Sequence, residues 1–465
     1  MSGRRYGRLV AGVDSSTQST KVLLCQADNG EVVAEGSAPH PPGTECHPHH
    51  WWTALQQAGN GLLEQAAAIA IAGQQHGMVI LDADDEVIRP ALLWNDLRSA
   101  PQAAALVAEF GGPRWWAEQT GSVPGASFTV TKLRWLAEHE PASARQVCRV
   151  MLPHDWLTWR LGATSPVTDR GDASGTGYFA VVSGRWLPDL VTAALGHNAD
   201  LPRVAQPAEV VGETDDGAVL AAGTGDNMAA ALGLGLKPGD VAVSIGTSGT
   251  VFAVREAPSA DPSGAVAGFA DATGRFLPLV CTMNAGRALT AAANMTGTDL
   301  LGLAERALAA EPGSGGITLL PYLDGERTPD RPGATGVLAG LTTSNATPEN
   351  LARSAVEGVL GSLADAIDLL ADCGVGFQHA LLIGGGARSA AIREIAPGIF
   401  GRDVEVPEPA EYVALGAARQ AAWALAGTPE PPDWPTPPAS RYAGPPQPEL
   451  RARYAALRNA TLGWS

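Results

Sequence analysis

Two segments of the chain repeat one pattern, and the distance between them constrains the fold more than any other feature. Residues 12–21, GVDSSTQSTK, form a tip of small and hydroxyl residues between two apolar runs. About half of the 465-residue chain later, residues 240–254, DVAVSIGTSGTVFAV, show the same order of strand, small-residue turn and strand. Apolar runs that flank such turn residues predict β-hairpins. A repeat at half the chain length indicates a duplicated domain, and we therefore predict two domains.

The tip of the first hairpin has a composition that suits an anion. Its small residues leave backbone N–H groups and hydroxyls accessible, and such a concavity can bind phosphate. The carboxylate of Asp14 would repel a phosphate unless a divalent cation lay between them, so the segment suggests a magnesium-nucleotide site. The alternative is an ordinary turn, because Ser, Thr and Asp favour turns through local hydrogen bonds.

The charge and cysteine content of the chain exclude some classes of partner. With a formal net charge of −17 and a pI near 4.9, the chain lacks the basic surface that general binding of nucleic acid or anionic membrane requires. Five cysteines without paired spacing fit reduced thiols in the cytoplasm. Arg4 and Arg5 could begin a leader peptide, but Asp14 interrupts the apolar run after them. We therefore expect a cytoplasmic protein without membrane spans.

The periodicity of apolar residues predicts alternating strands and helices along the chain. The predicted strands are a meander over 8–14, 20–27 and 31–37, with a two-residue Asn29-Gly30 turn, and then 68–72, 78–81 and 91–93. The predicted helices are 51–68, 131–138, 153–161, 228–234 and 449–457. Residues 168–177 read as a small-residue loop, and 429–448 as a proline-rich segment without regular structure. A strand over 380–383 runs into three glycines, where the backbone could approach a ligand closely.

Eight segments together carry a family resemblance. They are GVDSSTQSTK (12–21), GQQHGMVILD (73–82), RPALLWNDLR (89–98), MLPHDWLTWRLGATSPVTDRGDASGT (151–176), GTGDNMAAALGLG (223–235), GDVAVSIGTSGTVF (239–252), PYLDGERTPDRP (321–332) and LLIGGGARS (381–389). With these segments in family order, the chain resembles the FGGY carbohydrate kinases, of the sugar kinase, actin and Hsp70 superfamily. The resemblance implies an α/β, two-domain, ribonuclease H-like fold with a cleft between the domains. The implied domains are 1–236 and 237–465, and it stays open whether the last helix returns to the N-terminal domain.

The resemblance also implies an activity, the ATP-dependent phosphorylation of a ketose, with D-xylulose to D-xylulose 5-phosphate as the first choice of reaction. Kinases for another pentulose, a hexulose or a polyol share the ATP machinery, so these substrates stay open. A remoter alternative, from a different class, is a non-catalytic nucleotide-dependent binding protein on the actin-like fold. The implied ligands are ATP, Mg²⁺ and a small sugar, and a homodimer is allowed.

Site residues follow from the positions that match the family segments. The resemblance implies Asp226 as the general base and Asp14 as the carboxylate near the metal. The implied nucleotide contacts are Ser16 and Thr17 of the first loop, Gly246, Thr247, Ser248 and Gly249 of the second loop, and Gly385, Gly386 and Ala387 at the adenosine turn. The implied sugar contacts are Gln75, His76, Gly77, Trp94, Asn95, Asp96 and Asn227.

Several of these residues also have a purely structural interpretation. Asp226 stands where a helix N-cap is expected, and capping alone would explain it. Trp94 could be an ordinary core residue. Ser16 occupies a position where the family usually has Gly, so it would be strained if the backbone there had a positive φ. Lys21 borders the first loop, but we expect it to face solvent or a surface acid.

Overall fold

The computed structural model describes residues 8–464. Arg4 and Arg5, considered above as the start of a leader, lie outside the described residues. The chain forms two compact units, the first of which comprises Met1–Leu236, Glu256–Leu277 and Ala410–Thr436. The second unit comprises Lys237–Arg255, Pro278–Pro409 and Pro437–Ser465. Among residues 8–464, no helix is both long enough and apolar enough to cross a bilayer.

Within residues 8–234, the structure has fifteen strands and nine helices, most of them short. The strands are β1 (Leu9–Ser15), β2 (Ser19–Gln26), β3 (Val32–Pro39), β4 (Glu45–Cys46), β5 (Ala68–Gly73), β6 (Val79–Leu81), β7 (Ala91–Leu92), β8 (Arg149–Met151), β9 (Val167–Thr168), β10 (Phe179–Ala180), β11 (Arg185–Trp186), β12 (Arg203–Val204), β13 (Val210–Glu213), β14 (Val219–Ala221) and β15 (Thr224–Gly225). The helices are α1 (Pro48–Gly59), α2 (Ala100–Glu109), α3 (Pro113–Thr120), α4 (Thr129–His139), α5 (Pro141–Ala144), α6 (Pro153–Leu161), α7 (Arg170–Ala173), α8 (Pro188–Leu195) and α9 (Asp226–Leu234).

The remainder of the chain has longer helices. Its strands are β16 (Asp240–Ile245), β17 (Gly249–Ala253), β18 (Ala267–Ala270), β19 (Phe276–Thr282), β20 (Thr318–Leu320), β21 (Val337–Ala339), β22 (His379–Ile383), β23 (Val404–Pro407) and β24 (Ala439–Tyr442). Its helices are α10 (Gly286–Met295), α11 (Leu300–Ala309), α12 (Pro348–Asp372), α13 (Ala390–Phe400), α14 (Tyr412–Ala426) and α15 (Pro448–Ala460). Three single 3₁₀ turns are Leu63–Gln65, Ser314–Gly316 and Gly385–Arg388.

The central sheet of the first unit is mixed, with the strand order β13-β14-β5-β1-β2-β3 and with β15 paired to the end of β5. β1 and β2 form the predicted hairpin, in which Asp14 lies opposite Lys21. β1 also pairs in parallel with β5, and every residue of β5 is buried. A strand that is covered on both faces needs no polar alternation, which explains the unbroken small and apolar sequence of β5.

Both faces of this sheet pack against helices. On one face, Val13 and Ile71 of the sheet pack with Trp51 and Leu55 of α1. On the other face lie the alanines of α14, which approach the strand so closely that a Cβ at Gly12 would stand 1.9 Å from the carbonyl oxygen of Ala414. Only glycine fits at this position, so Gly12 of the first hairpin allows α14 to pack directly on β1.

The second unit repeats this local arrangement. β16 and β17 form a hairpin, and β16 pairs in parallel with β22. The sheet continues from β22 to β23 and β24. As in the first unit, the parallel strand leads into a glycine-bearing turn, here after Ile383. Mixed sheets flanked by helices in both units confirm the predicted two-domain α/β class.

Four local predictions need correction. The helix predicted over 51–68 is α1 (Pro48–Gly59) followed by a 3₁₀ turn. The loop predicted over 168–177 contains the short helix α7, and the proline-rich segment predicted to be irregular contains β24, which pairs with β23. The connection between β2 and β3 has five residues, Ala27 to Glu31, and is longer than the predicted two-residue Asn29-Gly30 turn.

Candidate active site

The first hairpin turn places a buried carboxylate at its mouth. Asp14 is only 6% exposed and accepts a hydrogen bond from the Ser16 hydroxyl. Burial raises the pKa of Asp14 to about 6, although Ser16 and Lys21 oppose the shift. Ser16 is not among the described residues that have a positive φ, so the strain considered for Ser in place of Gly does not arise. The Lys21 ammonium lies 2.5 Å from Glu411, as expected for a lysine that pairs with an acid.

The loop after β7 is tied to this hairpin. Trp94 donates its indole N–H to the hydroxyl of Thr17 at 2.7 Å. Asn95 donates its amide to the carbonyl of Gly43 at 3.4 Å. Trp94 is half-buried, and its polar edge faces the hairpin turn rather than an apolar core.

Asp96 is anchored by protein groups. Its carboxylate accepts two hydrogen bonds of 2.8 Å from the Arg98 guanidinium and one of 2.7 Å from the Thr44 hydroxyl. Burial alone would raise the pKa of Asp96, but the bonds from Arg98 and Thr44 lower it below its ordinary value. The structure therefore gives Asp96 an anchoring role, and its contact with sugar stays a prediction.

The loop that follows β5 is buried and strained. His76 has a left-handed φ of 67°, and its Nδ1 lies 2.5 Å from the carbonyl oxygen of Gly175. A carbonyl can only accept, so Nδ1 carries the proton. The ring also lies against Phe128 and Phe269, with centroids 4.9 and 5.8 Å away. Gly77 adjoins Pro153 so closely that a Cβ would lie 2.5 Å from the proline ring.

Asp226 lies at the first residue of α9 and is partly buried. The N-cap is Gly225, with φ −70° and ψ 155°, so the expected capping position of Asp226 is wrong by one residue. Its Oδ1 accepts from the backbone N–H of Asn227 at 2.7 Å and from the side-chain amide of Asn227 at 2.8 Å. Burial and, secondly, the charge of Asp14 raise the pKa of Asp226 to about 7. A carboxylate with a pKa near neutrality is well matched to general-base work.

Asn227 joins Asp226 to the loop after β5. The same side-chain amide that bonds Asp226 lies 3.3 Å from Gln75 Oε1. The Nε2 of Gln75 is buried and has no hydrogen-bond partner among the described residues. An unpartnered buried donor is costly, and a bound hydroxyl oxygen would satisfy it.

In the second unit, the turn between β16 and β17 is held by the start of α10. The carbonyl of Gly246 accepts from Gly286 N–H at 2.8 Å, and that of Thr247 accepts from Arg287 N–H at 3.2 Å. Gly249 is buried, and a Cβ there would lie 2.7 Å from the Leu363 side chain. Gly246 and Thr247 are exposed.

The glycine turn after β22 lies beside this loop. Gly384 has a φ of 82°, and a Cβ at Gly386 would lie 2.2 Å from Ile245 Cγ2. A Cβ at Gly385 would meet no atom of the described chain within 4 Å apart from its sequence neighbours. Gly246, Thr247, Gly385 and Gly386 line one cavity of about 900 Å³. Ser248, Gly249 and Ala387, also predicted to contact the nucleotide, are not among the residues that line it.

Comparisons with known proteins place the chain in a family. The model described as the FGGY family of carbohydrate kinases, N-terminal domain, matches residues 9–235, and the model of the C-terminal domain matches residues 241–425. The chain belongs to the FGGY family of carbohydrate kinases. This FGGY kinase is therefore a phosphotransferase, and its family membership implies the use of ATP.

Similar proteins include enzymes that act on xylulose. A xylulose kinase of Streptomyces coelicolor is 50% identical over 437 residues, which cover 90% of this FGGY kinase and 89% of that enzyme. A xylulose kinase of Streptomyces rubiginosus is 50% identical over 442 residues, with coverage of 90% and 89%. The crystal structure of xylulose kinase from Bifidobacterium adolescentis is 45% identical and matches with a TM-score of 0.90, covering 97% of this chain and 99% of that one. The two-domain sugar kinase fold predicted from the sequence is confirmed.

Two features near the site were not predicted from the sequence of this FGGY kinase. Lys132 of α4 is fully buried, and its ammonium donates to the carbonyl of His76 at 2.9 Å. His154 of α6 forms a buried group with Asp155 and Asp172. Segment 151–176 carried part of the family resemblance without any assigned role, and nothing in its linear spacing shows that His154 and Asp172 meet.

Proposed function

We propose that this kinase transfers the γ-phosphoryl group of ATP to D-xylulose and produces D-xylulose 5-phosphate. Its similarity to proteins named xylulose kinase supports this choice of acceptor. The observation that carries the proposal is the partly buried Asp226 carboxylate, whose pKa is raised to about 7 and which Asn227 joins to Gln75. A binding protein without chemistry would not need such a carboxylate beside an unsatisfied amide.

Asp226 would act on the acceptor hydroxyl. As the terminal hydroxyl oxygen of the ketose forms a bond to the γ-phosphorus, the bond from that phosphorus to the bridging oxygen breaks and ADP leaves. The hydroxyl proton passes to the Asp226 carboxylate. The hydrogen bonds from Asn227 occupy Oδ1 and hold the carboxylate in one orientation.

Several residues would hold the sugar near Asp226. Gln75 Nε2 is a buried donor without a hydrogen-bond partner in residues 8–464, so we assign it to a sugar oxygen. His76 and Gly77 continue the same loop and would also contact the sugar. Trp94 and Asn95 of the loop after β7 would line the sugar site on the side of the first hairpin. Asp96 would act indirectly, by holding the loop after β7 in place.

Nucleotide contacts are proposed for the loops of both units. A cavity of about 900 Å³ beside Gly246, Thr247, Gly385 and Gly386 is within the size range of ligand sites and large enough for a nucleoside. We assign Ser248 and Gly249 to the shape of the phosphate loop and Ala387 to that of the adenosine turn. In the first unit, we also assign Ser16 and Thr17 to nucleotide binding.

Asp14 fits a Mg²⁺ site by its chemistry. Its carboxylate is a hard oxygen donor, and burial raises its pKa although the Lys21 ammonium, which is paired with Glu411, opposes the shift. When bound, Mg²⁺ would reduce the negative charge of the phosphates. Asp14 and Ser16 would orient that ion, directly or through water.

The organisation of the protein in solution is part of the same proposal. We assign the sugar site and base to residues 1–236 and the nucleotide cavity to 237–465. A homodimer in the cytoplasm is the proposed state. Light scattering on a gel-filtration column would measure a mass of about twice the monomer for a dimer, and a monomer mass would reject it.

A panel of acceptors tests the reaction. ADP release is measured with D-xylulose, D-ribulose, L-xylulose, D-fructose, glycerol and gluconate at fixed Mg·ATP. We expect the highest kcat/KM with D-xylulose, and phosphorus NMR should place the phosphate on C5. A tenfold preference for another acceptor would replace D-xylulose as substrate, and no ADP release with any acceptor would remove the proposal.

A further inference from the structure

A buried group of charged side chains lies beneath the segment that carries Asp226, and the proposed reaction does not use it. The Nδ1 of His154 is 2.6 Å from Asp172 Oδ2, and its Nε2 is 3.4 Å from Asp155 Oδ1. All three side chains are at most 1% exposed. Because these side chains are buried, each charge among them needs an opposite charge or a hydrogen bond from the protein.

A protonated His154 explains this arrangement. Burial alone lowers the pKa of an imidazole, but the charge of Asp155 and the hydrogen bond with Asp172 raise the pKa of His154 above its ordinary value. Burial raises the pKa of Asp172, and the His154 imidazolium opposes that shift. These three residues could also hold a metal ion. However, a separation of 2.6 Å is that of a charge-assisted hydrogen bond, and it leaves no space for an ion between Nδ1 and Oδ2.

Asp169 links this group to the strand before the base. Asp169 is the N-cap of α7 and accepts the N–H of Asp172 at 2.8 Å. It also accepts the hydroxyl of Thr224 at 2.7 Å. Thr224 lies in β15, two residues before Asp226, and pairs with Ala72. A chain of short contacts therefore runs from His154 to the first turn of α9.

Two glycines bring backbone directly onto His154. A Cβ at Gly223 would lie 2.6 Å from His154 Cδ2, and a Cβ at Gly73 would lie 2.9 Å from His154 Cβ. Gly223 precedes β15, and Gly73 ends β5 just before Gln75. The segment leading to the base thus packs on the His154 imidazole, and the segment leading to the loop after β5 packs on the Cβ and backbone of His154.

We infer that His154, Asp172 and Asp169 form a positioning network for Asp226. The ion pair fixes α7, Asp169 at the start of α7 fixes Thr224, and Thr224 fixes the first residue of α9. The inference rests on the proposed role of Asp226 as general base. A displacement of about 1 Å at a reacting group can lower the rate about 10²-fold, so such a network affects turnover without touching substrate.

Substitutions of Thr224 test the link. Thr224→Val keeps the shape of the side chain but removes the hydroxyl, whereas Thr224→Ser keeps the hydroxyl. We expect Thr224→Val to lower kcat about 10- to 100-fold, with both KM values within about threefold of wild type, and Thr224→Ser to retain most of kcat. Thr158→Val is the matched control, because the Thr158 hydroxyl is buried without a hydrogen-bond partner among the described residues. Equal effects of Thr224→Val and Thr224→Ser, or none, would overturn the inference.

A double variant separates this inference from the proposed function. Because the network acts through the base, Thr224→Val should lower kcat little further in an Asp226→Asn background. An undiminished further loss would indicate a separate structural effect. If Asp226→Asn itself keeps its turnover, the proposed function fails; if it loses turnover while Thr224→Val does not, only the network fails.

His154→Gln tests the centre of the network. We expect a loss of kcat at least as large as in Thr224→Val, with little change of either KM. If this variant does not fold, the Thr224 pair still decides. Metal analysis of the wild-type protein should find no stoichiometric metal that His154→Gln loses, and finding one would overturn the ion-pair interpretation.

Discussion

Lys132 donates a hydrogen bond from its fully buried ammonium to the backbone carbonyl of His76 at 2.9 Å. Thr129 donates to the same carbonyl at 3.2 Å. Burial lowers the pKa of Lys132 to about 7, although the charge of Asp96 opposes the shift. Burying an ammonium is costly, and Lys132 thereby holds the loop after β5 at His76, where the backbone of that loop is left-handed.

Lys132→Met should therefore weaken sugar binding selectively. The substitution keeps a long side chain but removes the donor to His76, and a hydrogen bond from a charged group contributes about 1.5–3 kcal/mol. We expect the KM for D-xylulose to rise about tenfold or more, while the KM for ATP stays within about twofold. Thr129→Val removes the longer of the two bonds and should have the smaller effect. An unchanged sugar KM in Lys132→Met would show that the ammonium does not hold the loop.

Two neighbouring glycines of the second unit should respond differently to substitution. A side chain at position 385 enters open space beside the cavity, so Gly385→Leu should raise the KM for ATP about tenfold and leave the melting temperature almost unchanged. A Cβ at Gly386 meets Ile245, so Gly386→Ala should cost about 1–3 kcal/mol of stability by overpacking. Steady-state kinetics and thermal unfolding of both variants check this. The reverse pattern would place the nucleotide elsewhere.

The activity should fall on the acid side of neutrality. Burial and the charge of Asp14 raise the pKa of Asp226 to about 7, and the base works only as the deprotonated carboxylate. The value of kcat/KM should therefore fall tenfold per pH unit below about pH 7, where protonation removes the base, and level off above it. A profile measured from pH 5 to 9 that stays flat down to pH 5 would contradict this assignment of the base.

Local chemistry explains which parts of the fold were predictable. The helix over 153–161 was predicted with its true ends, because Pro153 stands at the first helical position and Gly162 follows the last. The two hairpin turns were predictable because small and hydroxyl residues between two apolar runs are a local signal of a turn. The prediction of a two-residue Asn29-Gly30 turn was wrong, because β2 already ends at Gln26 and β3 begins only at Val32.

Features that depend on distant residues were not predictable. The strand β24 forms in a proline-rich segment because β23 supplies its pairing partner. The N-cap of α9 was predicted at Asp226, one residue too late, because the actual N-cap, Gly225, carries no side chain that would mark it. His154 and Asp172 meet only because α6 and α7 pack around the ends of β5 and β15, and spacing along the chain does not encode that contact.

The turnover of purified Asp226→Asn tests the role of Asp226 as base most directly. Asn keeps the size of the side chain and an oxygen that can accept the Asn227 N–H, and the N-cap at Gly225 is untouched. We expect kcat for D-xylulose to fall about 10²–10⁴-fold, with ATP binding retained and the melting temperature within about 3 °C of wild type. An Asp226→Asn variant that folds, binds ATP and turns over D-xylulose at nearly the wild-type rate would contradict the assignment of Asp226 as the general base.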